Sequence, residues 1–330
     1  MSLKHKINTL RRHPSVIADI LVGKNWHQIE EKSTKLDEIE ITKFITNLKD
    51  TLVTNPTRLT RDSKFNRLCY VEDWNNQEIT YALSELRKFN SEGFIHRKDW
   101  EWAMGILAMR KLGKLNENSI ALGVGTGTEP IPFYLANKIK HVYATDLYGQ
   151  IKGWEKAAPF GFYNNPEAYS AFPYRKDALT VLIMDGTKLE FDSQTFDLTF
   201  SFSTIEHFGG KNHSGALAGL KEMERVLKTD GLAVITTEYI INDKDHKEFF
   251  NRRSIYSDLI NKLEDLRLVE PLYLGTTAKT LNTVIDISLD QNWNSLDSNF
   301  KKTHPLILVR LRNILFTSIM LVFKKDNTDK

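Results

Sequence analysis

The sequence is poor in cysteine. Cys69 stands alone among 330 residues, so no intrachain disulfide forms and no cysteine-built zinc site can be assembled. Prolines number nine and glycines 17, far too few for a collagen-like or low-complexity chain. The formal net charge is only +3, and this balance does not call for nucleic acid or an acidic membrane surface as partner. A long uninterrupted apolar run is missing too. The most apolar stretch, Pro305 to Phe323, carries Arg310, Arg312 and Asn313 near its middle. Each charge at a bilayer centre costs about 2.5–3.5 kcal/mol on an insertion scale. Two buried strands meeting at Arg312-Asn313 describe the stretch better than a membrane helix. The N-terminal stretch is basic, is broken by Pro14, and lacks the apolar core and small-residue cleavage site of a secretory signal. The expectation is a cytoplasmic protein with no membrane span and no nucleic-acid partner. Its oligomeric state is left open.

What is present is an ordinary globular composition, 41% hydrophobic and 26% charged, in a chain longer than one average domain. Residues 1–95 are polar and helical in pattern. Ile39, Ile41, Phe44, Ile45, Leu48 and Leu52 recur at near-helical spacing, Asn55-Pro56 breaks the run, and a second helix is expected over Glu78–Phe89. This part reads as a helical extension or cap. In Asp99–Leu112, Trp102, Ile106, Met109 and Leu112 form a stripe that reads as core packing.

From Ser119 strands and helices alternate. Strands are expected at Ile120–Val124, Val142–Thr145, Thr180–Met184, Leu198–Phe202 and Leu232–Thr237, and helices at Ile131–Lys138 and Ser214–Leu227. Alternation of this kind predicts an α/β fold with a parallel sheet covered on both faces. A helix is expected around Arg253–Leu266, inside a variable segment 241–304 on the substrate side, before the final strands. Residues 96–330 thus read as one domain behind the extension.

The sharpest motif is Ala121-Leu-Gly-Val-Gly-Thr-Gly-Thr-Glu129. Gly123, Gly125 and Gly127 follow an apolar strand and precede a helix, where a missing Cβ lets the backbone turn tightly and approach a ligand. Nineteen residues after Gly127, Asp146 ends the next strand, where a carboxylate can accept from both ribose hydroxyls. Two ligands fit this pattern, a dinucleotide and S-adenosylmethionine. The dinucleotide spacing G-x-G-x-x-G/A fails in both registers, which end on Thr128 and Pro130.

Further on, MDGTKLEF carries Asp185 and Gly186, FDLTFSFSTIEHF carries Ser201, Ser203, Glu206 and His207, and ERVLKTDG precedes the strand ending at Glu238. Together with GVGTGTE and ATDLYG, these motifs resemble the class I S-adenosylmethionine-dependent methyltransferases. The resemblance covers residues 96–240 well. A narrower likeness is to bacterial methyltransferases linked to surface-polysaccharide or glycan synthesis. The resemblance implies a Rossmann-like sheet, mostly parallel with its last strand antiparallel, and S-adenosyl-L-methionine as cofactor. It implies that Gly123, Gly125 and Gly127 contact the methionine and ribose portions, that Asp146 binds the ribose diol and that Leu147 packs on adenine. Asp185 would accept from the adenine amino group beside Gly186, and Ser201 to Ser203 would flank the sulfonium. Many family members carry an acid where this chain has Ala121. Glu129 either substitutes in part, holding the cofactor's amino group, or is a first-turn acid favoured by the helix dipole.

Methyl transfer from a sulfonium is an in-line displacement with a neutral leaving group, so positioning and water exclusion dominate. A base is needed only where the acceptor loses a proton, and His207 with Glu206 are the candidates. The resemblance extends to ubiquinone-biosynthesis O-methyltransferases, which use Glu-x-x-Glu-His for a divalent ion. Here the first position is Ser203, and loss of a carboxylate weakens a hard-cation site, so no metal is expected. Trp154, Tyr163, Tyr169 and Tyr174 offer aromatic faces that suit a sugar or aromatic acceptor, though aromatics equally often serve as core. The expected acceptor is a small molecule or glycan precursor, with a lipid, quinone or other metabolite as the alternative. An NAD-binding oxidoreductase and a cofactor-binding scaffold without turnover are the readings from other classes.

Overall fold

The computed structural model describes residues 3–21, 24–54, 64–86, 95–287 and 304–326. Its centre is a sheet built first from five parallel strands: β1 (Ile120–Val124), β2 (His141–Asp146), β3 (Leu179–Ile183), β4 (Phe196–Phe202) and β5 (Leu227–Ile240). Four more complete it among the described residues: β6 (Leu266–Leu268), β7 (Val284–Asp286), β8 (Leu308–Leu311) and β9 (Ile314–Lys325). The order is β3-β2-β1-β4-β5-β9-β8-β7, with β6 also pairing β9. β9 runs antiparallel to β5 over nine paired positions, Leu232↔Lys324 to Ile240↔Phe316. The strand order reverses between β1 and β4, and at such a switch point a crevice opens at the carboxyl ends of the strands.

Among the described residues the α-helices of five residues or more are α1 (Leu3–Arg12), α2 (Ile17–Leu21), α3 (Trp26–Thr54), α4 (Gln77–Leu86), α5 (Arg97–Lys111), α6 (Ile131–Ala136), α7 (Phe160–Asn164) and α8 (Ser214–Val226). On α8, Ala216, Leu220, Met223 and Val226 recur at helical spacing and are buried against Leu122, Val124, Ala233 and Ile235 on one face of the sheet. The opposite face packs on α5 and α6, with α4 lying behind α5. β9 shows why both faces are closed. Met320 and Val322 join the α5 side, while Ile319, Leu321 and Phe323 join the α8 side, as a period of two requires. Gly105 lets α5 approach β4, since a Cβ there would lie 2.5 Å from the Phe202 ring.

The final strands meet as expected at Arg312-Asn313, where Arg312 takes φ +56° in a two-residue turn. Two expectations change. The stripe on α5 is wider than the four residues proposed. Trp100, Ala103, Met104 and Leu107 are buried as well, because the helix lies between α4 and the sheet, while Trp102 and Leu112 are only half-buried. The helix expected over Arg253–Leu266 is broken. An α turn at Arg252–Ser254, a π turn at Ile255–Leu259 and a 3₁₀ turn at Ile260–Lys262 follow one another, and then β6 begins. The Glu224 carboxylate accepts from the amides of Glu264, Asp265 and Leu266, which gives the backbone a partner other than the helix ladder.

α3 lays Ile41, Phe44, Ile45, Leu48 and Leu52 over Leu281, Leu308 and Leu315. Residues 66–70 run beside β9, with Cys69 N–H donating to Ser318 and Met320 N–H to Arg67. The break at Asn55-Pro56, the last residues of the helix expected over Glu78–Phe89, and part of segment 241–304 lie outside the described residues. Among the described residues no helix is long and apolar enough to cross a membrane.

Candidate active site

A cavity of about 610 Å³ opens at the carboxyl ends of β1, β2, β3 and β4, within the range of small-molecule sites. The loop after β1 forms one wall. Gly125 and Gly127 take φ +66° and +48°, and a Cβ at Gly125 would lie 2.1 Å from the Thr204 side chain. A Cβ at Gly127 would lie 2.6 Å from the Ala157 carbonyl. Glycine is required here both by conformation and by the two segments that close over the loop. The Asp146 carboxylate ties β2 to this loop, accepting from Gly127 N–H at 2.8 Å and from Leu147 N–H at 2.7 Å. Burial raises its pKa, and those two N–H groups pull it back down.

Leu147, Asp185, Gly186 and Ser203 also line the cavity. Asp185 is exposed and accepts from the Thr187 amide and hydroxyl through one oxygen. Gly186 lies under the Phe208 ring. Ser203 carries φ +48° at the end of β4, a position strained for a residue with a side chain. Gly123, Ser201 and Glu206 do not line the cavity. Gly123 is packed between Phe200 and Thr126, and Ser201 is buried within β4. Glu206 sits behind the wall, also buried.

The inner end is charged. Lys98 Nζ lies 2.6 Å from Glu129, 3.1 Å from Glu101 and 2.6 Å from the Phe202 carbonyl. Burial opposes its charge, but Glu101 and Glu129 hold the Lys98 ammonium above its ordinary pKa. Burial pushes Glu129 up to about 7 against the pull of Lys98. Arg97 lies 2.8 Å from Glu238 and 3.4 Å from Glu101. Burial raises the Glu238 pKa despite Arg97. Burial opposes ionisation of Glu101 as well, yet Lys98 and Arg97 hold its pKa down.

At the mouth, the Trp154 and His207 rings lie 4.6 Å apart between centroids. Burial lowers the His207 pKa, while Glu248, 3.3 Å from Nδ1, pulls it up. Glu206, His207 and Glu238 come together with one ligating atom from each within 4.8 Å of the others.

Sequence reasoning missed Arg97, Lys98, Glu101 and Glu238. A buried acid inside the apolar run of α5 was the available signal for Glu101. The Arg97–Glu238 contact spans 141 positions and leaves no local pattern.

The comparisons with known proteins bear on the core of this site. Residues 122–235 match the family model described as a methyltransferase domain. The match runs from β1 to β5 and includes the loop, Asp146, Asp185 and Glu206-His207. No curated protein matches the chain. Among solved structures, an S-adenosylmethionine-dependent methyltransferase from Aquifex aeolicus is similar at 16% identity, over 74% of this chain and 96% of that one, with a TM-score of 0.37. Geranyl diphosphate C-methyltransferase from Streptomyces coelicolor A3(2) is similar at 14% identity, over 68% and 77%, with a TM-score of 0.41. The matched family, the parallel strand order and the glycine loop joined to Asp146 agree: the chain carries a class I S-adenosylmethionine-dependent methyltransferase domain.

Proposed function

We propose that the protein transfers the methyl group of S-adenosylmethionine to a hydroxyl of a sugar or glycan precursor. In this reading residues 96–330 form the catalytic domain, 1–95 are a helical extension leaning on it, and 241–304 contribute to the acceptor side. Asp146 binds the ribose diol, Leu147 packs on adenine, and Asp185 with Gly186 reads the adenine edge. Gly125, Gly127 and Ser203 face the methionine and sulfonium portions, while Gly123 and Ser201 shape the wall from behind. Ala121 is buried in β1, and Glu129 with Lys98 takes over the amino-acid end. The Glu129 carboxylate holds the cofactor's ammonium, and Lys98 positions that carboxylate.

The observation that carries the acceptor reading is the exposed Trp154 ring beside His207 at the cavity mouth. An aromatic face next to an imidazole suits a sugar ring whose hydroxyl must lose a proton. In the cation-free site His207 receives that proton, with Glu206 beside it in the chain and the Glu248 carboxylate 3.3 Å from Nδ1 to stabilise the imidazolium. Incubation with methyl-labelled cofactor and either nucleotide sugars or a lipid and quinone extract tests the proposal. Label in sugar, lost in His207→Gln, is the expected result. Label only in the lipid or quinone fraction contradicts it.

A further inference from the structure

Three buried carboxylate oxygens in and behind the cavity wall find no donor in the protein among the described residues: Glu206 Oε1, Glu206 Oε2 and Glu238 Oε2. Glu206 is 3% and Glu238 5% exposed, so bulk water does not solvate them. A buried carboxylate with neither hydrogen bonds nor a counter-charge is strongly disfavoured. The neighbouring cations are already engaged. Arg97 sits on the other oxygen of Glu238 and on Glu101, and Lys98 sits on Glu101 and Glu129. Four carboxylates therefore face two basic side chains, which leaves two negative charges formally unmatched.

The same two acids share their space with an imidazole. Ligating atoms of Glu206, His207 and Glu238 all lie within 4.8 Å of one another. The His207 Nδ1 faces Glu248 at 3.3 Å, and an outer carboxylate of this kind orients a ligating histidine and leaves its other nitrogen for the metal. Two carboxylates and one imidazole are a donor set for a hard to borderline divalent cation. His207 and Glu238 line the cavity, so the cluster is open on the acceptor side.

We propose that Glu206, His207 and Glu238 form a binding site for one divalent cation of the Mg²⁺ or Mn²⁺ kind, contrary to the sequence expectation of no metal. The site's existence stands on these residues alone, while its role rests on the methyltransferase reading of the cavity. Glu238, at the end of β5, supplies the carboxylate that Ser203 does not. The cation's remaining positions face the cavity and suit an acceptor with two adjacent oxygens, a hydroxyl beside a second hydroxyl or a carboxylate. When the cation is bound, the His207 lone pair serves it. The acceptor hydroxyl then ionises more readily on the metal, its proton passing to solvent at the cavity mouth.

The test uses the full chain stripped with chelator and titrated with Mn²⁺. Free Mn²⁺ is read by electron paramagnetic resonance, with and without S-adenosylhomocysteine. The expected result is one Mn²⁺ per chain, with affinity weakened at least about tenfold in Glu206→Gln and in Glu238→Gln. Asp245→Asn, at an exposed carboxylate outside the cluster, should leave it unchanged. S-adenosylhomocysteine binding and melting temperature report whether each variant is folded. Should the buried variants misfold, wild-type stoichiometry and His207→Gln still decide. No stoichiometric Mn²⁺, or an affinity unmoved by these substitutions in folded protein, overturns the site. S-adenosylhomocysteine binding without Mn²⁺ overturns the cation site alone, whereas binding of neither overturns the methyltransferase reading as well.

Discussion

Asp146 holds two backbone amides with its two oxygens, so it orders the glycine loop, and in the proposed reading its remaining lone pairs take the ribose hydroxyls. Hydrogen bonds to a charged group contribute about 1.5–3 kcal/mol. Asp146→Asn is therefore expected to weaken S-adenosylhomocysteine binding by about 10- to 100-fold in calorimetry. Glu129 makes a different prediction because its pKa stands at about 7. Below that pH it carries a proton and offers the cofactor's ammonium no charge, and above it the carboxylate is ionised. Binding of a cation favours the ionised form, so affinity should rise as pH rises through about 7. Calorimetry between about pH 6 and about pH 8 should show this rise in the wild type and a flat profile in Glu129→Gln. A wild-type profile as flat as the variant's would remove Glu129 from the amino-acid end of the cofactor.

At the scale of elements, the site depends on close approaches that single methyl groups would spoil. Gly127→Ala places a side chain in the left-handed region and against the Ala157 carbonyl. Strained backbone of this kind costs about 1–3 kcal/mol, and a lower melting temperature with weaker S-adenosylhomocysteine binding is expected. Gly105→Ala sets two effects against each other. Alanine gains about 1 kcal/mol of helix propensity, but its Cβ meets the Phe202 ring at 2.5 Å, and overpacking costs about 1–3 kcal/mol. Phe202 is buried and packed against the Phe200 ring, so it yields only by disturbing that pair, and overpacking wins. The variant should melt lower than the wild type, and a higher melting temperature would show that α5 or the ring yields easily.

For the molecule as a whole, the N-terminal helices and the cavity lie on different parts of the sheet. Ile41 on α3 is buried against the β8 end, among Leu281, Leu308 and Leu315. Truncating a buried isoleucine costs about 2–5 kcal/mol, so Ile41→Ala should lower the melting temperature while S-adenosylhomocysteine affinity stays the same. The parallel core and the glycine loop with Asp146 were legible in the sequence because each is local: a strand, a turn, a helix and an acid in fixed order. β5 was read as Leu232–Thr237 but extends over Leu227–Ile240, since its antiparallel partner β9 comes some 80 positions later and no window contains both. The charged floor was illegible for the same reason. Arg97, Glu101 and Ser318 meet across more than 200 positions, and Lys98 gave no hint that it reaches Glu129. Packing of α5 against the ends of β4, β5 and β9 is what brings these groups together.

Isothermal titration of the wild-type chain with S-adenosylhomocysteine, and separately with NAD, tests the central claim most directly. One S-adenosylhomocysteine per chain and no heat from NAD is the expected result. NAD binding that S-adenosylhomocysteine does not displace, or no S-adenosylhomocysteine binding by folded protein, would contradict it.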